Sequence, residues 1–177
     1  MITSIKSQRL RALLEHYLEA RGSKRMPARQ DIDAMQLGPV LPIIWVNAYE
    51  PGAGTFRYRL AGEEVNDIFG GSVAGRLLSD FVQGDRFEAT NRNFLKVIGE
   101  QVALLASGPV YRCADRIAMG ERLALPLSSD GETADGIIGA TARDALVDFS
   151  AVSMSAQKVD FISIDDLEQV FKRAVGD

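Results

Sequence analysis

The chain has 177 residues, of which 46% are hydrophobic and 25% charged, a globular profile and not that of a disordered or fibrous protein. Its one cysteine, Cys113, excludes an internal disulfide framework and a cysteine-rich zinc or iron–sulfur site, and its one histidine, His16, excludes a paired-His metal site. A net charge of −4 argues against wholesale electrostatic binding to nucleic acid, although residues 1–30 carry seven basic and two acidic side chains and residues 130–177 four basic and ten acidic.

In chain order, Leu10, Leu13, Leu14, Tyr17 and Leu18 recur at helical spacing, so residues 4–21 are expected to form an amphipathic helix capped by Ser4 and stopped by Gly22. A polar connector follows, and Gly38, Pro39 and Pro42 keep the next stretch from being one helix. Residues 43–49 and 55–60 read as a β-hairpin around Pro51-Gly52-Ala53-Gly54, with Phe56, Tyr58 and Leu60 on one face and Arg57 and Arg59 on the other. Residues 63–69 make a short helix ended by Gly70-Gly71. A longer helix begins at Asp85, with Glu88 three residues on, and its stripe is Phe87, Phe94, Ile98, Val102 and Leu105. Strands at 109–115, 117–128 and 136–143 follow, the last two joined across Asp130-Gly131. Beyond Asp148 the chain is polar, then acidic and helical from 164 to 175.

That order predicts an α+β fold: a five-stranded antiparallel sheet with helices on one face, plus an N-terminal amphipathic helix. The expected divisions are 1–24 (helix and connector), 25–145 (the sheet domain) and 146–177 (acidic tail with a short helix). The run Phe56-Arg-Tyr-Arg-Leu-Ala-Gly62, then Phe69-Gly-Gly and Gly75-Arg76, resembles the second strand and early helices of PAS sensory domains. Gly136-Ile-Ile-Gly-Ala-Thr-Ala-Arg-Asp144 is similar to the last PAS strand, with Ala145-Leu146 where Ile-Thr commonly follows. More narrowly, Pro27-x-Arg-x-Asp-Ile-Asp33, Leu41-Pro42 and Leu125-Pro-Leu-Ser-Ser-Asp-Gly131 resemble small stand-alone PAS proteins common in alphaproteobacteria. The resemblance implies a sensory or signalling module without catalysis, taking a small ligand, a protein partner, or both.

Candidate pocket residues are Trp45, Tyr58, Phe69, Phe94 and Tyr111, with Arg59 or Arg76 as partner for an anion. The cofactor is open. His16 lies outside the sheet unit, which argues against haem, and Asn91-Arg-Asn-Phe-Leu-Lys96 has Arg92 where a flavin photosensor needs its cysteine. Asp31 and Asp33 read as loop caps, not as metal ligands. The stripe Leu10, Leu13, Leu14 and Tyr17 has no obvious place in a PAS core and is expected to meet a second copy in a homodimer. Two rivals remain: an interaction module with a filled core, and a small cone-fold isomerase or dehydratase, which needs a carboxylate buried in its pocket. The first residues lack the apolar run of a secretory signal, and no stretch is long enough to span a bilayer. With the lone thiol this predicts a cytoplasmic protein acting through partners in trans, since there is no room for an output domain.

Overall fold

The structure, a computed structural model, describes residues 5–113, 115–148, 150 and 157–175. Helix α1 runs Gln8–Arg21, and Ser7, whose side-chain oxygen accepts from the Leu10 N–H, is its cap; Ser4 lies outside the described residues. Gly22, at φ 54°, ends the helix with its N–H on the Glu19 carbonyl, a conformation that an L side chain adopts only at a cost.

Strands β1 (Ile44–Glu50) and β2 (Thr55–Ala61) form the expected hairpin. A short helix α2 (Glu63–Ile68) and the long helix α3 (Gly84–Glu100) follow. Strands β3 (Val102–Cys113), β4 (Arg116–Ser128) and β5 (Ala134–Asp148) form a meander, followed by β6 (Lys158–Ser163) and helix α4 (Leu167–Val175). All strand pairs are antiparallel, in the order β2-β1-β5-β4-β3-β6. The fold is therefore α+β, with a sixth strand added to the five expected.

Alternation along the strands gives the sheet two apolar faces. Ile44, Ala103, Leu105, Leu123, Leu125 and Ile138 pack with α1, with Ile164 just after β6 and with Leu167 at the start of α4. Trp45, Leu104, Ala124 and Ile137 pack with Phe94 and Val97 of α3 and Val65 of α2. The second face carries the cavity described below.

Several expectations are corrected. Helix α3 stops at Glu100, where Gln101 takes a left-handed conformation and donates its N–H to the Val97 carbonyl. Val102 and Leu105 therefore lie in β3 and not on the helical stripe. The run Val102-Ala-Leu-Leu-Ala106 is apolar throughout, so periodicity alone does not separate a buried strand from a helix. Gln83, not Asp85, occupies the cap position of α3. In β2 a bulge opposite Val46/Asn47 inserts one residue, pairing Leu60 with Val46 and Tyr58 with Asn47. Leu60 is thereby turned off the face of Phe56 and Tyr58 and is 42% exposed.

The stripe of α1 is also placed differently from the expectation of a dimer face. Leu10, Leu13, Leu14 and Tyr17 are 0–1% exposed within one chain, and the Tyr17 hydroxyl donates to the Pro126 carbonyl at 2.7 Å. Side chains so fully covered have no surface left for a second copy. Burying each leucine contributes about 1.5–3 kcal/mol, so this helix belongs to the core. The tail docks on it: Arg21 donates to the Ile164 carbonyl at 3.0 Å and pairs with Glu168 at 2.8 Å.

Candidate ligand cavity

Between α3 and the second face of the sheet lies a cavity of about 220 Å³. Its wall is an arc of aromatic rings in mutual contact. Phe94 stacks on Trp45 at 5.2 Å, Trp45 meets Tyr58 at 5.9 Å, Tyr58 meets Phe81 edge-on at 5.1 Å, Phe81 meets Phe69 at 4.8 Å, and Phe69 meets Tyr111 at 5.6 Å. Each contact is of the tilted, offset or edge-to-face kind that aromatic quadrupoles favour.

The arc is built from local features of the chain. Trp45 lies flat on β5 because its cross-strand partner is Gly139, where a Cβ would sit 2.3 Å from the indole ring. Asn66 holds the turn after α2 by donating to the Ala61 carbonyl and accepting from the Val73 N–H, which brings Phe69 over the sheet. The Val73–Leu78 stretch then pairs with the outer edge of β2 through Tyr58 N–H to Arg76 and Gly75 N–H to Tyr58. A bulge at Pro109/Tyr111 of β3 turns Pro109, Val110, Tyr111 and Arg112 all toward the cavity.

The polar end of the cavity is Arg122 of β4. Its Nε donates to the Thr141 hydroxyl at 3.1 Å, its Nη2 donates to the carbonyl of the bulged Val110 at 2.6 Å, and its guanidinium lies 5.0 Å from the Tyr111 ring centre. Thr141 Oγ1 also accepts from the Trp45 indole N–H at 3.1 Å, linking the arginine to the aromatic floor. Burial pushes the Tyr58 hydroxyl well above the ordinary tyrosine range, opposed by the Arg122 charge and by an Asn47 contact that falls short of hydrogen-bond geometry. The remaining polar lining is Arg86, Thr90, Arg112 and Gln157; among the described residues no aspartate, glutamate or histidine lines the cavity.

Of the residues singled out from the sequence, Trp45, Tyr58, Phe69, Phe94 and Tyr111 line this cavity together and Arg59 does not. Arg59 is exposed and borders a separate open groove with Arg29, Tyr49 and Asp135, because the β2 bulge and the strand alternation turn it outward. Arg76 does not line it either: it donates to the Asp80 carbonyl and lies over the Phe81 ring. The sequence reading missed Arg122, whose signal was legible: Leu123, Leu125 and Leu127 claim one face of β4, so Arg122 and Ala124 share the other.

Other candidates have structural places. His16 Nε2 accepts from the Asp33 N–H at 3.0 Å on the α1 side, away from the cavity. Asp31 accepts from the Ala28 N–H and Lys24, and Asp33 from the Met35 N–H and the Gln36 side-chain amide. No cluster of three or more potential metal-ligating side chains occurs among the described residues, and no described helix is long and apolar enough to cross a membrane.

A family model described as PAS domain matches residues 5–142, a span that takes in α1 and runs into β5. No curated protein and no solved structure matches the chain. The match extends over most of the sequence and agrees with the antiparallel sheet, the helices α2 and α3 on one face and the cavity between them: the chain belongs to the PAS domain family.

Proposed function

We propose that this protein is a non-catalytic PAS sensor that binds a small molecule between α3 and the sheet and passes the change to a protein partner in trans. The observation that carries the reading is the cavity of about 220 Å³ that side chains leave unfilled, walled by aromatic rings and ending in one fixed guanidinium. Ligand sites are typically concave and apolar with a few placed polar groups, and this one lies below the usual range of roughly 300–1,000 Å³, which suits a small ligand. A cone-fold enzyme would need a carboxylate in this lining as its base, and the described lining supplies none.

A route for the signal runs through β4. Glu121 faces α1, accepting from the Lys6 and Ser7 N–H groups at 3.0 and 2.8 Å, while its neighbour Arg122 faces the cavity. A ligand that shifts Arg122 therefore acts on the strand that holds the start of α1, favouring one of two dockings of that helix.

The test is a protein-observed NMR screen on the full chain and on Ala89→Trp, which fills the cavity from α3. Binders that perturb Thr90 and Tyr111 and are lost in the variant support the sensor. A screen in which nothing binds the wild type favours the interaction module and overturns it.

A further inference from the structure

We infer that the molecule held in this cavity is a small carboxylate with an aromatic or aliphatic body, its acid group received by Arg122; the inference rests on reading the cavity as a ligand site. A guanidinium has five N–H donors in a fixed fork. The bonds to Thr141 and the Val110 carbonyl take two of them and fix the plane. Among the described residues no carboxylate forms an ion pair with Arg122.

A half-buried cation without a counter-ion carries a desolvation cost that the Tyr111 ring at 5.0 Å offsets only in part. Satisfying one hydroxyl and one carbonyl requires donors but not a permanent charge. What the charge does fit is an anion, and guanidinium forks match carboxylates in two parallel hydrogen bonds.

The surroundings select the rest of the ligand. Arg86 and Arg112 also line the cavity, each engaged in an interaction of its own, so the anion site rests on Arg122 alone. No lining acid is described that would repel an anion or attract an amine. Beyond Arg122 the wall is Trp45, Tyr58, Phe69, Phe81 and Phe94, which suits an apolar body and disfavours a second charge or a sugar.

The experiment titrates the full chain with 3-phenylpropionate and hexanoate and with their neutral primary amides, read by the emission of the single tryptophan and by calorimetry. The expected result is that the acids bind at least tenfold more tightly than the amides. That preference should vanish in Arg122→Gln and survive in part in Arg122→Lys, which keeps the charge but not the fork. The wild-type comparison of acid with amide decides the matter even if Arg122→Gln fails to fold. Equal affinities, or an acid preference unchanged in a folded Arg122→Gln, would overturn the carboxylate. If the amides bind as well as the acids and both are lost in Ala89→Trp, the cavity reading stands and only the carboxylate falls. Binding by neither overturns the carboxylate and leaves the cavity reading to the wider screen, whereas binding indifferent to Ala89→Trp removes both.

Discussion

Arg59 and Arg122 are alike in chemistry and opposite in fate. Both sit on strands among apolar neighbours, yet one points to an outer groove and the other into the cavity. Gly139 decides a comparable question for Trp45, because a methyl group there would stand within the indole ring. Gly139→Ala is expected to displace Trp45, shifting the emission of the single tryptophan and lowering stability by about 1–3 kcal/mol, the usual scale of overpacking. An unchanged spectrum and an unchanged urea midpoint would contradict that packing. Asp130 supplies a pH prediction. Its Oδ1 accepts from the Thr133 and Glu132 N–H groups and the Ser128 hydroxyl, and these bonds hold its carboxyl at about 2, below the ordinary 3.8. A carboxyl lowered in the folded state stabilises above its unfolded pKa, and that contribution is lost as pH falls through the folded value. The difference in melting temperature between wild type and Asp130→Asn should therefore shrink between pH 4 and pH 2; a constant difference across that window would refute the assignment.

At the scale of elements, α1 shows how a correct helix can carry a wrong role. Its periodicity rests on five apolar residues, but amphipathicity says only that a stripe is buried, not against what. The structure buries it on the sheet, and α4 closes over its end through Arg21. Leu13→Ala is thus expected to cost about 2–5 kcal/mol of folding stability. A denaturation curve superimposable on the wild type, with a changed solution mass, would restore the stripe to an interface between copies. The boundary between α3 and β3 failed for a different reason: Gln101 stops the helix by its backbone conformation, which no Gly or Pro marks. Strand β6 was missed because Lys158–Ser163 mixes charged and apolar residues and gains strand character from pairing with β3, Leu104 to Phe161 among them.

For the whole molecule, the order of β1 to β5 and of the helices, the hairpins, the antiparallel sheet and five aromatic cavity residues are legible in the sequence, because alternation, turn chemistry and helical spacing are local properties. Which face of the sheet each helix covers, the bulges at Arg59 and Val110, and the meeting of Arg122 with Thr141, Val110 and Tyr111 were settled only in three dimensions. Residues 111, 122 and 141 come from three strands, and a one-residue bulge reverses the face of every side chain beyond it. The chain itself thus fixes what kind of sheet is made, while strand register and long-range packing decide what that sheet can hold.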